Sequence, residues 1–229
     1  MLLEEAIAEA AVFQTASPAS RARLTDCGSL RAYDRGAHLF FDKDEVSSIY
    51  LVASGKAALY KLNERQDKKV VFIYGAGHLL NEVMLQPLPA SINCEILESS
   101  RVASFPVADF LQIMEADFAL TRAVLESMAR KIRRLYRQLQ NTPAALRGDK
   151  KLASKLWKLA RDHGLEHDLG VEIDLDLPVT YLAALMGSTR EHASRQLGRL
   201  LELGLVVSRH KRIIVTNPEN LLRFFRERD

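Results

Sequence analysis

Between Gly187 and Val215 the chain places six basic residues, Arg190, Arg195, Arg199, Arg209, Lys211 and Arg212, against two acidic ones, Glu191 and Glu202. An arginine can donate two hydrogen bonds to guanine O6 and N7, and a glutamate can accept one from the cytosine amino group. Basic residues on a hairpin tip can neutralise phosphate without reading sequence. Charge runs are commonly no more than solvated faces, so the elements beneath them must decide.

Those elements are legible. Pro178-Val179-Thr180 opens a short helix containing Leu182, Ala183 and Leu185. Gly187 allows a sharp turn, because without a Cβ it takes positive φ at no steric cost. Ser188 or Thr189 can cap a second helix, in which Ala193, Leu197, Leu200 and Leu201 define a buried side. Arg190, Glu191, Ser194 and Arg195 fall largely on the opposite side. Gly204 ends this helix, and Val206-Val207 and Ile213-Ile214-Val215 flank a basic tip, Ser208 to Arg212. Helix, tight turn, helix and hairpin make a winged helix-turn-helix, whose second helix enters the major groove by its N-terminal turns.

Upstream, residues 1 to about 30 read as helical, interrupted by the polar stretch Thr15 to Ser20. From about Leu30 to Phe105 short strands alternate with turns: His38 to Phe41, Ser48 to Val52, Ala57 to Leu62, Val70 to Tyr74, Ile92 to Leu97 and Arg101 to Phe105. Strands at this spacing predict a sandwich or small barrel. After Pro106, Leu120, Val124, Met128, Ile132, Leu135 and Leu139 form one apolar stripe with the basic cluster Arg130, Lys131, Arg133, Arg134 and Arg137 beside it. Pro143 ends that run, and the stripe predicts a helix that packs on a partner copy through those six positions. A last domain starts near Asp149, with a helix ending at His163-Gly164 and a strand from Val171 to Leu175.

Composition bounds the rest. The 229 residues suffice for one large or two modest domains, and the net charge of +3 says little about partners. No apolar run approaches the ~18 residues of a membrane span, and Glu4, Glu5 and Glu9 do not suit a secretory signal. A cytoplasmic protein is expected. Cys27 and Cys94 have no ligand-like spacing and read as small apolar fillers. His163 and His167 are separated by the helix-ending Gly164, so no metal site is expected there. His38 and His78 are isolated, no nucleophile and base pair up, and no P-loop occurs, which argues against an enzyme. A regulatory subunit that binds a protein partner would not need the Gly187 turn or the basic wing.

The segment Gly187-Ser188-Thr189-Arg190-Glu191-His192-Ala193-Ser194-Arg195, with Leu200 to Val206 after it, resembles the recognition motif of the Crp/Fnr family of bacterial transcription regulators. Gly36, Tyr50, Gly55 and Gly77 fall where that family has its barrel markers. The resemblance implies an α+β protein: a sensor domain at 1–107 with a jelly-roll-like β-barrel, a long dimerisation helix at 108–142, and a winged helix-turn-helix at 143–229. It implies a homodimer on a palindromic, TGTGA-like operator in double-stranded DNA, with RNA polymerase as a further partner of an activator. The expected DNA-contacting set is Ser188, Thr189, Arg190, Glu191, Ser194, Arg195, Arg199, Arg209, Lys211 and Arg212.

The sensor is expected not to take cyclic AMP. Glu82 matches the family's ribose-binding glutamate, but Asn81 replaces the glycine before it. The place of the phosphate-binding arginine reads Pro89-Ala90-Ser91, which forfeits a bidentate contact to the cyclic phosphate. An iron-sulfur cluster would need N-terminal cysteines, and the lone His78 is a weak basis for haem. No cofactor is expected. An unidentified small molecule between barrel and helix is, with Glu82, Leu135 and Tyr136 near it; the alternative is constitutive DNA binding by a protein whose barrel has lost its ligand.

Overall fold

The computed structural model describes residues 1–64, 66–86, 88–140 and 148–226. Leu139, Pro143 and the expected boundary at 142/143 fall outside the residues or side chains described. The chain divides into two compact units, Met1–Lys61 with Val71–Asn141, and Leu62–Val70 with Thr142–Asp229.

The first unit opens with α1 (Leu3–Glu9), a 3₁₀ turn (Ala11–Phe13) and α2 (Pro18–Cys27). Ser17 starts α2 by accepting from the Ser20 N–H, with Pro18 in the first turn where its missing N–H costs nothing. The strands follow: β1 (Ser29–Tyr33), β2 (His38–Phe40), β3 (Ser48–Ser54), β4 (Lys56–Leu62), β5 (Lys68–Gly75), β6 (Asn93–Ile96) and β7 (Ser100–Pro106), with a 3₁₀ turn at Glu82–Leu85 between β5 and β6. They form two antiparallel sheets, ordered β1-β7-β3 and β2-β6-β4-β5. The jelly-roll-like arrangement is present, but no ladder closes it into a continuous barrel among the described residues. Leu51, Leu59, Phe72, Ile96 and Val102 belong to its core.

α3 (Val107–Ala116) and α4 (Phe118–Gln140) are part of this unit. Phe110 of α3 stacks obliquely against Phe13 and Phe105, at 6.2 and 6.0 Å between ring centres. Asp117 starts α4: Oδ1 accepts from the N–H groups of Ala119 and Leu120 at 3.0 and 3.1 Å, and Oδ2 from that of Ser17 at 2.7 Å. These bonds, that from Ser17 foremost, hold its carboxyl well below the usual carboxylate range.

The long helix corrects the predicted stripe. Leu120 and Val124 are completely buried in their own unit's core, and Met128 packs against that core, so these positions are already covered within the protomer. Ile132 and Leu135 of the predicted stripe are exposed, and the outward apolar row runs through Ile132 but not through Leu120, Val124 or Met128. Leu125, Ala129, Ile132 and Tyr136 recur at steps of four, three and four and are exposed, as is Phe118. A 23-residue helix lying on a sandwich uses one side for its own core, and only the other remains for a partner.

The second unit holds α5 (Gly148–His163), β8 (Gly164–His167), β9 (Gly170–Ile173), α6 (Val179–Met186), α7 (Arg190–Glu202), β10 (Val206–Arg209), β11 (Arg212–Val215) and α8 (Pro218–Arg226). The strands make one sheet, β10-β11-β9-β8. Leu152, Leu156, Leu182, Ala193, Leu200 and Ile213 are buried, and Trp157 meets Phe225 of α8 edge-on at 6.1 Å. β8 gives no sequence signal, since Leu165 and Glu166 are both exposed and do not alternate. No described helix is long and apolar enough to cross a membrane.

Candidate nucleic-acid interface and sensor cavity

Gly187 ends α6 at φ 63°, ψ 49°, the left-handed conformation its lack of a Cβ permits. Thr189, not Ser188, is the N-cap of α7, its Oγ1 accepting from the His192 N–H at 3.2 Å. Ala193, Leu197 and Leu200 anchor α7 in the core, while Leu201 is exposed rather than buried. Arg190, Glu191, Ser194 and Arg195 are all exposed on the first turns of α7, with Thr189 exposed and Ser188 half-buried before them. Hydrogen bonds from its own backbone N–H and from Thr189 lower the pKa of Glu191, so it stands as a carboxylate, an acceptor only.

The rest of the basic set divides. Arg199 lies in the last turn of α7 and pairs with Glu202 at 3.5 Å. Arg209 and Lys211 are exposed on the wing. Arg212 is not free for phosphate as predicted: its guanidinium binds Asp174 at 2.7 Å and approaches Asp176 at 3.5 Å, which braces the hairpin on the segment after β9. In sequence this segment alternates apolar Val171, Ile173 and Leu175 with acidic Glu172, Asp174 and Asp176. Arg209 and Arg212 face each other across the hairpin, and both residues between them, His210 and Lys211, have positive φ (48° and 68°). This is the handedness of a two-residue turn that matches strand twist, here without the usual glycine.

In the first unit Glu82 is 2 % exposed, in the turn after β5. Its Oε1 accepts from Ser127 Oγ at 2.7 Å, and its Oε2 from Lys131 Nζ in a very short contact. Lys131 also donates to the Leu79 carbonyl at 2.6 Å and lies 4.6 Å from the centre of the Tyr74 ring. Burial pushes the lysine pKa down, and the neighbouring Glu82 carboxylate opposes that shift. Sequence reasoning missed Ser127 and Lys131, because the pairing spans 45 and 49 residues.

Beside this pair is a cavity of about 230 Å³, walled by Phe40, Leu59, Phe72 and Leu80 on the sheet side and by Met128 and Leu135 of α4. Ala90 and Ser91, from the place of the missing arginine, line it, and no arginine does so among the described residues. Leu135 thus reaches the predicted site. Tyr136 does not, being 65 % exposed on the outward row. A larger open cleft of about 860 Å³ lies past Lys131, and the Arg122 and Arg130 side chains on its rim pair with Glu126 at 3.0 and 4.0 Å. His78 stacks on Tyr74 at 5.3 Å with Nδ1 3.2 Å from the Gly75 carbonyl. Burial raises the Cys94 thiol to about 12, and no cluster of metal-ligating side chains occurs among the described residues.

Two family models match the chain: a cyclic nucleotide-binding domain over residues 30–117 and a Crp-like helix-turn-helix domain over residues 150–224. The two lie in the order the fold requires. The chain belongs to the Crp/Fnr family. Similar proteins include the global nitrogen regulator of Synechococcus elongatus, 25% identical over 86% of this chain and 89% of that one. The CRP-like cAMP-activated global transcriptional regulator of Mycobacterium tuberculosis is 23% identical over 96% and 99%. In fold, the c-di-GMP responsive regulator CLP of Xanthomonas campestris superposes with a TM-score of 0.76 at 19% identity, over 87% of this chain and 99% of that one. Within the Crp/Fnr family this chain is a transcription regulator with a cyclic-nucleotide-binding-type domain and a DNA-binding helix-turn-helix domain, and the family is one of regulators, not enzymes.

Proposed function

We propose that this regulator binds a two-fold symmetric, TGTGA-like operator as a homodimer, under the control of a small effector other than cyclic AMP. The observation that carries the reading is the face of α7. Arg190 and Arg195 are exposed, in no ion pair among the described residues, and flank an ionised Glu191 on the helix's first turns. Two arginines and one carboxylate acceptor suit G and C edges in a half-site. Thr189, Ser188, Ser194 and the wing residues Arg209 and Lys211 supply backbone contacts. Arg199 is a weaker contributor and Arg212 a brace. The outward row of α4, Phe118, Leu125, Ala129, Ile132 and Tyr136, is the surface that a second copy covers, placing half-site centres about one helical turn, ~34 Å, apart. RNA polymerase is the further partner if the protein activates.

Cyclic AMP is disfavoured because Glu82 is already bonded within the chain and, among the described residues, no arginine lines the cavity for its phosphate. The Glu82–Lys131 pair also supports a second reading, DNA binding without any effector, since it joins the sensor turn to α4 unaided. Fluorescence anisotropy on a labelled palindromic TGTGA duplex and a scrambled one, across a salt series, tests both. Palindrome-selective binding by the protein alone supports the second reading. Selectivity that appears only with added metabolites supports the first. Equal, steeply salt-dependent binding to both duplexes would leave phosphate contacts alone and remove the operator proposal.

A further inference from the structure

We infer that the effector cavity selects a compact, uncharged and mainly apolar molecule, aromatic or short-chain, and rejects nucleotides and organic acids. The inference rests on the regulator reading above and specifies the ligand class of its sensor. Protein interiors are packed to crystal density with few voids larger than a water. A cavity of about 230 Å³ in this unit, open to solvent past the exposed Val83, Ile132 and Leu135, is well beyond that. Its walls are largely carbon, from Phe40, Leu59, Phe72, Leu80, Met128 and Leu135; of the polar side chains on them, Asn81 is bonded to the Tyr50 and Ser48 backbone and Glu82 to Lys131, which leaves water few partners. Apolar cavities of ~150 Å³ stay dry and accept benzene.

Charge selection follows from the one ionic pair on the wall. Glu82 and Lys131 both line the cavity, and they satisfy each other. A ligand carboxylate or phosphate would sit beside the Glu82 carboxylate, and could take Lys131 only by leaving that buried charge alone. A ligand cation would face the Lys131 ammonium. A neutral molecule avoids both costs, and a single hydroxyl or carbonyl can still share a hydrogen bond with the pair. Ile132 belongs both to the cavity rim and to the outward row of α4, so filling the cavity bears directly on the surface proposed for the second copy.

The chain's five methionines provide the test, because Met84 and Met128 line the cavity while Met1, Met114 and Met186 are absent from its walls. With methyl-labelled methionine in the full-length protein, benzyl alcohol, indole and 1-hexanol are expected to shift the Met84 and Met128 resonances saturably. Benzoate, the acid of the same size as benzyl alcohol, and cyclic AMP are expected to bind at least tenfold more weakly. Ala90→Leu, which fills the cavity from its wall, should abolish the response. Glu82→Gln should narrow the gap between benzoate and benzyl alcohol by releasing Lys131, a gain that a damaged fold would not produce. Benzoate or cyclic AMP matching the neutral probes overturns the inference, as does an absence of Met84 and Met128 shifts with all three of them. DNA anisotropy on the same samples separates the outcomes. Operator binding without methionine shifts refutes the ligand class alone, and methionine shifts without operator binding refute the regulator reading alone.

Discussion

Lys131→Met should destabilise the first unit far more than its modest change in volume suggests. Glu82 is 2 % exposed, and the substitution removes its only cationic partner among the ion pairs described while leaving the Leu79 carbonyl without that donor. Breaking a buried pair from one side costs about 3–5 kcal/mol, and the low end applies because Ser127 still donates to Glu82 at 2.7 Å. Glu82→Gln should cost less, about 2 kcal/mol, since Lys131 keeps the Leu79 carbonyl as an acceptor. Independent effects would sum to about 5 kcal/mol, but the double variant leaves no stranded charge and should lose only about 1 kcal/mol. The coupling is therefore about 4 kcal/mol. Urea-dependent hydrogen exchange, read on β7 peptides so that the second unit's unfolding does not enter, measures all four proteins. Additivity within about 0.5 kcal/mol would show that the pair is not a buried unit and would refute the reasoning.

Lys211→Ala should weaken operator and scrambled DNA alike and flatten the slope of log K against log salt by roughly 0.9 for each wing engaged, as measured by anisotropy. Leu125→Arg with Ala129→Glu should convert the proposed dimer into monomers in sedimentation equilibrium at micromolar concentration without changing the first unit's melting, since both positions are exposed and neither lines the cavity. Asp117→Asn should cost about 1 kcal/mol at pH 7, because Asn caps α4 as well as Asp does but the amide nitrogen that replaces Oδ2 cannot accept from the Ser17 N–H. The folded Asp117 carboxyl lies below its ordinary value, so its contribution is present above the unfolded pKa and is lost as pH falls through the folded one. The gap between Asn variant and parent should therefore close in acid denaturation curves below about pH 4.

The recognition unit was legible because its signals are local. Gly187 and Thr189 each act within three residues, and the apolar spacing of Ala193, Leu197 and Leu200 fixes the buried side of α7. The long helix was legible as a helix, but not in which face it turns outward. Its inner row is strongly apolar at Leu120 and Val124, whereas the outer row is broken up by neighbouring arginines, so periodicity favours a stripe that starts on the buried side and reaches exposed positions only at Ile132 and Leu135. Long-range pairs gave no local signal at all. Arg212 reads as one more wing cation until Asp174, 38 residues earlier, is found against it. Glu82 reads as a vacant ligand contact until Lys131 is found on it.

The two-sided use of α4 has a genetic consequence. Lesions on its inner row, at Leu120 or Val124, impair folding and should behave as temperature-sensitive alleles, recessive and rescued by cooling. If the outer row is the proposed dimer face, lesions there, at Leu125 or Ala129, leave a folded chain whose deficit is one of association, so raising gene dosage should suppress them. A collection of random loss-of-function alleles along this one helix should therefore sort into two phenotypes that alternate with the turn of the helix.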